Sequence, residues 1–106
     1  MSTATSATTG VAGRYASALF DLADNAKSLD QVAQDLGTFR KMVGESTDLA
    51  RVIASPVIGR PLQTKALLAV LDAAGIKGLT RNFIGTVAGN GRARELVAMA
   101  TAFLAE

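Results

Sequence analysis

The chain has 106 residues, of which 49% are apolar and 19% are charged, and its formal net charge is +2. This length is typical of a single domain that buries its own core. The absence of cysteine and histidine excludes disulfides, Cys/His zinc sites and catalysis by a thiol or an imidazole. The 20 alanines favour helix over strand.

The N-terminal segment predicts a flexible tail followed by an amphipathic helix. Residues 1–10 carry no charge and no apolar periodicity, which is typical of a mobile tail. Helix 1 is predicted over residues 11–26, and its apolar arc spans roughly 200°, about twice what one packed face requires. One edge of this arc can face a partner: Val11, Tyr15, Ala18 and Leu22. The rest can face the bundle: Ala12, Ala16, Leu19, Phe20 and Ala23.

This excess of apolar surface on helix 1 has two interpretations. With a small residue such as Ala18 on its edge, the helix can form one wall of a shallow groove that accepts an amphipathic helix. Alternatively, helix 1 is buried on two sides by helices 4, 5 and 6, and no groove exists. The residue pattern alone favours the second interpretation.

Capping and proline signals define helices 2 and 3. Ser28 and Gln31 predict a capping box at the start of helix 2, whose apolar stripe continues at steps of three and four residues to Gly44. Ser46 is predicted to cap a short helix 3. Pro56 ends that helix, because the residue before a proline avoids helical geometry.

Three further helices complete the predicted fold. Pro61 suits the first turn of helix 4, which is apolar around most of its circumference, is predicted to be the most buried helix, and ends at Gly75. Helix 5 is predicted over residues 79–90, and helix 6 follows Gly91. Six helices with short turns and no strand-like alternation predict an all-α fold, a compact six-helix bundle.

No group of residues indicates catalysis, a metal site or a cofactor. Asp21 and Asp24 are neighbours on helix 1, but at this spacing on a polar face they are typical of surface charge. The glycines of residues 89–91 resemble part of a phosphate loop, yet no strand precedes them and the glycine spacing fails at Arg94. We therefore expect a non-enzymatic protein without a metal or cofactor.

The charge distribution leaves two alternatives to a groove receptor. Residues 1–50 carry four basic and six acidic groups, whereas residues 51–106 carry seven basic and three acidic groups. A basic half is a feature of small helical nucleic-acid-binding modules, but these basic residues are scattered and no helix presents several on one face. In the other alternative, the domain self-associates through helix 1.

Three segments of the chain together match a known family pattern. The first is AGRYASALFDLA at residues 12–23, the second is ASPVI at residues 54–58, and the third comprises NFI at 82–84 and NGR at 90–92. In this order and spacing they resemble the ATP synthase δ subunit family, also called the oligomycin-sensitivity-conferring protein family. The resemblance covers nearly all of residues 11–106.

This resemblance implies that residues 11–106 are the N-terminal six-helix domain of a peripheral-stalk (stator) subunit of the F-type proton-translocating ATP synthase. In that family, a groove between helices 1 and 5 holds the N-terminal amphipathic helix of an α subunit. Carried onto this sequence, with Val11 added from the apolar edge of helix 1, the groove comprises Val11, Tyr15, Ala18, Leu22, Phe83, Thr86, Val87 and Asn90. Tyr15 and Ala18 are the first candidates for contact with the partner.

The resemblance also implies partners and a location. Family members carry a C-terminal domain that joins b-type stalk subunits, and because this chain stops at Glu106 we expect that domain and its contact to be absent. No nucleic-acid partner and no direct membrane insertion are expected. The implied location is peripheral, on the cytoplasmic face of the bacterial inner membrane, because the N-terminus lacks the arginines of an organellar transit peptide.

Overall fold

The computed structural model describes residues 10–105, and these form an all-α fold. A short 3-10 turn, Ala93–Glu95, precedes the last helix. The helices are α1 (Gly10–Asn25), α2 (Leu29–Glu45), α3 (Thr47–Ala54), α4 (Arg60–Ala73), α5 (Leu79–Gly89) and α6 (Leu96–Leu104). With six helices, no strand among the described residues and a radius of gyration of 13.1 Å, the predicted compact six-helix bundle is confirmed. The tail predicted for residues 1–10 lies outside the described residues, except for Gly10, which begins α1.

The most buried helix is α6, and the prediction that helix 4 occupies this place was wrong. Helix α6 packs against both α1 and α2. In contrast, α4 leaves Leu62 63% exposed and Ala69 exposed. The apolar circumference of α4 therefore includes surface that is open rather than buried. The buried residues of α6 are Leu96, Met99, Ala100, Ala102 and Phe103.

Small residues allow α1 to lie closely against α6. The buried face of α1 consists of Gly13, Ala16, Leu19 and Ala23, and Ala100 of α6 is fully buried in the same apolar cluster. At the edge of this contact, the ring centroids of Phe20 and Phe103 lie 5.5 Å apart. The predicted bundle-facing side of helix 1 is thus confirmed, and its packing fixes which edge of α1 remains outside.

The core has two apolar clusters that meet at Phe83. One cluster is centred on α4 and α5 with Leu67, Leu71 and Ile84 fully buried, and the other lies between α1, α2 and α6. Phe83 is half-buried and packs against both clusters. The position of α5 relative to α1 is therefore set by the core beneath them.

Polar contacts join α3, α4 and the turn between α2 and α3. The Gln63 side-chain amide donates to the carbonyl oxygens of Val52 and Ile53 at 2.9 and 3.1 Å, which satisfies carbonyls at the end of α3. The predicted Ser46 cap is confirmed, because its hydroxyl accepts a hydrogen bond from the Leu49 amide at 3.1 Å. Gln63 and Ser46 thus hold the two ends of the short α3.

The capping box predicted at the start of helix 2 was wrong. Ser28 occupies the N-cap position, but its side chain makes no capping hydrogen bond. Its hydroxyl instead lies 3.5 Å from the Ala23 carbonyl oxygen, and the Gln31 amide donates to Asp35 at 2.9 Å. Both side chains of the expected box are therefore used for other contacts.

Replacing Ser46 with alanine is expected to destabilise the domain by about 1 kcal/mol, because the first-turn amide of α3 loses its acceptor. Ser28→Ala is the matched control and should cost less than half as much, since Ser28 makes no cap. The free energy of unfolding, measured by chemical denaturation and followed by helical circular dichroism, checks both. Equal losses in the two variants would contradict this assignment of the caps.

Candidate partner-binding grooves

The edge of α1 predicted to face a partner lies at the surface of the bundle. Val11 and Tyr15 are half-buried and pack against the core, whereas Ala18 is exposed and Leu22 is 55% exposed. An exposed leucine beside an exposed alanine leaves an apolar strip without a neighbouring helix on it. This strip is one wall of what we call the α1–α5 groove.

The facing wall of the α1–α5 groove comes from α5, and its floor is shared by α1 and α5. The Tyr15 and Phe83 rings meet edge to face, with their centroids 6.4 Å apart and their planes at 66°. Thr86 and Asn90 lie on the same side of α5 as Phe83 at helical spacing and are exposed. The structure thus brings Tyr15 and Phe83 together as a floor between two accessible edges.

Val87 does not belong to the surface of the α1–α5 groove, contrary to its predicted place there. It is completely buried and packs in the core with Ile84 and Ala88. On α5 it lies about 100° from Thr86, because successive residues of a helix turn by that angle. Its side chain supports the groove from below and cannot contact a partner on the surface.

A second open surface, which the sequence analysis missed, lies on the other side of α5. We call it the α4–α5 groove, and it encloses a cavity of about 620 Å³. A smaller cavity of about 310 Å³ adjoins it and shares Thr64, Leu68 and Arg81 with it. The available signal was the apolar circumference of helix 4, which was interpreted as burial. The residues lining the larger cavity are Arg60, Pro61, Thr64, Lys65, Leu68, Ala69, Asp72, Arg81 and Gly89.

Glycine on α5 permits the close approach of α4 beneath this groove. A Cβ atom at residue 85 would lie 3.2 Å from Cδ2 of Leu68, which is tighter than an ordinary contact. Gly89 is also on this side of α5, and a Cβ atom there would meet no atom within 4 Å. The α5 wall of the α4–α5 groove is therefore low, and its floor is formed by Leu68.

A two-point ion pair joins the end of α4 to the start of α5 beside the α4–α5 groove. Arg81 Nε and Nη2 donate to the two carboxylate oxygens of Asp72 at 2.7 and 3.2 Å. These hydrogen bonds lower the pKa of Asp72 below its ordinary value of 3.8, and the positive charge of Arg81 acts in the same direction. The same bonds raise the pKa of Arg81. Asp72 and Arg81 therefore link α4 to α5 as a charged pair at neutral pH.

Neither groove has the arrangement of a reaction centre. The described residues contain no group of three Asp or Glu side chains that could hold a metal ion. Asp21 and Asp24 are both exposed, as predicted for surface charge. The glycines of residues 89–91 form a helix end and turn, with α5 ending at Gly89 and Gly91 at φ +80°, as predicted. Both surfaces expose apolar side chains, Leu22 on the first and Pro61 and Ala69 on the second.

Comparison with known proteins identifies the family. The family model for the ATP synthase delta (OSCP) subunit matches residues 11–106. The chain belongs to the ATP synthase delta (OSCP) subunit family. Members are non-catalytic structural subunits of ATP synthase, and the resemblance inferred from the three sequence segments is confirmed.

Bacterial relatives support this family assignment. The chain is 47% identical over 106 residues to ATP synthase subunit delta of Rhodospirillum centenum, covering 100% of the chain and 57% of the relative. It is 50% identical over 104 residues to that of Rhodospirillum rubrum, covering 98% and 56%, respectively. The match to the Parvibaculum lavamentivorans protein is 55% identity over 83 residues, or 78% and 43% of the two chains. The chain thus spans about half the length of these relatives.

None of the helices within residues 10–105 combines the length and the apolar content needed to cross a bilayer. Helix α6, the most apolar of the six, has nine residues. A bilayer-spanning helix needs about 20.

The Asp72–Arg81 pair predicts a pH-dependent contribution to stability. Because folding lowers the pKa of Asp72, this stabilisation is fully present above 3.8 and is lost as the pH falls through the lower folded-state pKa. Arg81→Met should therefore destabilise the domain at pH 7, and the difference from wild type should shrink below 3.8. Chemical denaturation at several pH values measures this difference.

Arg51→Met provides the matched control for this experiment. Arg51 lies 3.7 Å from Asp48, and the two side chains are 72% and 94% exposed, so its loss should leave stability nearly unchanged at every pH. A difference between wild type and Arg81→Met that stays constant from neutral to acidic pH would contradict the role assigned to the Asp72–Arg81 pair.

Proposed function

We propose that residues 11–106 form the N-terminal domain of a peripheral-stalk subunit of the F-type proton-translocating ATP synthase, and that the α1–α5 groove binds the N-terminal amphipathic helix of an α subunit. The observation that carries this proposal is the exposed apolar strip ending in Ala18 and Leu22 beside the Tyr15–Phe83 floor. Because the chain belongs to the ATP synthase delta (OSCP) subunit family, the assembly in which this groove would be occupied is the ATP synthase.

The α1–α5 groove suits a helix because its contact residues follow a helical repeat. An amphipathic helix presents its apolar anchors at three- and four-residue steps, and the α1 wall uses the same steps. Leu22 and Ala18 can lie along one side of the bound helix, and the half-buried Phe83 can receive an anchor between the walls. Each large apolar side chain buried there contributes roughly 1.5–3 kcal/mol, less the cost of ordering the peptide.

Binding in this groove is expected to depend little on charge. Neither wall carries a carboxylate, an ammonium or a guanidinium among the groove residues: Val11, Tyr15, Ala18, Leu22, Phe83, Thr86 and Asn90. Apolar burial is not screened by salt, unlike contacts between exposed charges. The bound helix would therefore be held at the ionic strength of the cell.

The role that follows is mechanical. A stator holds the catalytic head against the torque of the rotor, so its joint with the head must have a slow off-rate. The domain performs no bond chemistry in this proposal. In the complete subunit, a C-terminal domain would join b-type stalk subunits. The protein would lie on the cytoplasmic face of the bacterial inner membrane, without inserting into it.

Calorimetric titration with a synthetic peptide of about 20 residues from the N-terminus of an α subunit, roughly five helical turns, tests the proposal. We expect one-to-one binding with a negative heat-capacity change, because apolar surface is buried. Raising the salt concentration should change the affinity little. Absence of binding would overturn the groove assignment.

Ala18→Asp is expected to abolish binding of this peptide while leaving helicity and the melting temperature nearly unchanged. A carboxylate on an exposed groove wall blocks an apolar ligand, whereas one in the core would unfold the bundle. Ser17→Asp, on the exposed face next to the strip, is the control and should retain binding. If Ala18→Asp unfolds the domain, or binds as well as Ser17→Asp, the assignment of Ala18 is wrong.

A further inference from the structure

The α4–α5 groove is an open, elongated surface that the proposed function does not use. Its lining runs along α4 from Arg60 to Asp72, a distance of about 18 Å along the helix axis. This length matches about three turns of a second helix laid beside it. Pro61, Leu68 and Ala69 supply apolar surface in the groove, and the adjoining Leu62 is 63% exposed.

The charge of this groove is positive. Of its four charged side chains, Asp72 is already bonded at both carboxylate oxygens to Arg81. The ion pairs formed among residues 10–105 include neither Arg60 nor Lys65. Two cations therefore border the apolar floor without an acidic partner in the described part of the chain.

One of these cations is held in place by the turn after α5. The Arg60 side chain packs against Gly91, where a Cβ atom would lie 2.5 Å from Nε. Gly91 also has φ +80°, a conformation that side-chain-bearing residues rarely adopt. The turn thus leaves room for the Arg60 guanidinium at one end of the groove. Lys65 lies about 140° around α4 from Arg60 and also lines the groove.

We propose that the α4–α5 groove docks an amphipathic helix of a partner protein that carries acidic residues beside its apolar face. The apolar floor and the length of the groove fit such a helix, and the low α5 wall at Gly85 and Gly89 admits it. Arg60 and Lys65, which form no ion pair within residues 10–105, select its charge.

This site faces the opposite flank of α5 from the Tyr15–Phe83 contact, and Thr86 lies at the boundary between the two grooves. The site does not depend on the function proposed for the α1–α5 groove.

The test is an NMR titration of the isotope-labelled domain with two synthetic helical peptides of about 15 residues, roughly four turns. Both have leucine at helical spacing; one has glutamate at the flanking positions and the other has lysine. The glutamate peptide should shift the backbone amides of Lys65, Ala69 and Gly85 and leave those of Ala18 and Leu22 unchanged. The lysine peptide should produce no saturable shifts at these positions.

Charge reversal distinguishes specific docking from general attraction. The double variant R60E/K65E should weaken binding of the glutamate peptide by about tenfold. K27E/K41E makes the same change in net charge at exposed positions outside the groove and should change the affinity less than about twofold. Circular dichroism of both variants verifies that they are folded. Equal weakening by the two variants would overturn the proposal.

Other outcomes would also overturn this proposal. Equal binding of the two peptides would show that charge does not select the occupant. Shifts confined to α1 would place the peptide in the α1–α5 groove. A dimer in sedimentation equilibrium without peptide, together with shifts of the Lys65 and Ala69 amides on dilution, would make a second copy the occupant. The Ala18→Asp variant changes only the α1–α5 groove and should bind the glutamate peptide with wild-type affinity. It therefore distinguishes loss of binding at the α1–α5 groove from loss of binding at the α4–α5 groove.

Discussion

The close packing of α1 on α6 is the contact on which the arrangement of the domain depends. Ala16 and Ala23 of α1 pack in one apolar cluster with Ala100 of α6, and all three are buried. Small residues at such a contact shorten the distance between the helices, and bulkier residues would force them apart. Once this face of α1 is committed to α6, the edge that carries Ala18 and Leu22 has no helix of the bundle to cover it.

Helix α5 converts this arrangement into two separate surfaces. Its buried side, with Ile84, Val87 and Ala88, fixes it to the core. Of its two flanks, the one carrying Phe83 meets Tyr15 of α1, and the one carrying Gly85 meets α4. A single helix thereby borders both a groove of neutral residues and one with a positive rim, and Thr86 lies where the two meet. The two occupants proposed for these surfaces differ in chemistry, because apolar burial holds one and charge complementarity selects the other.

The chain belongs to a family of structural subunits. A docking protein must hold its shape while bound, and the contacts between its helices serve this purpose. Gln63 joins α4 to the end of α3, and Arg81 joins α5 to α4 through Asp72. These contacts fix the position of α4 and α5 on either side of the α4–α5 groove. The Tyr15–Phe83 contact fixes the floor of the α1–α5 groove in the same way.

Local signals in the sequence were reliable where the residues involved are neighbours in the chain. The six helices, the Ser46 cap and the turn at Gly91 followed from capping, periodicity and glycine conformation. The family was also identified from sequence, because three short segments in fixed order are specific together. The candidate edge of α1 was recognised from periodicity, since helical spacing alone determines which side chains share a face.

The tertiary structure decided which apolar surfaces are covered. Helices α4 and α6 are both rich in apolar residues, yet of the two only α6 is largely buried. Val87 is buried although its helix, α5, lines a groove. Ser28 lost its predicted cap for the same kind of reason, since its hydroxyl points back to Ala23 in the preceding helix. Hydrophobic periodicity indicates that a residue favours burial. Whether another helix covers that residue, and which one, depends on contacts between residues far apart in the chain. The sequence alone therefore determined the helices and the family, and the packing of those helices determined the grooves.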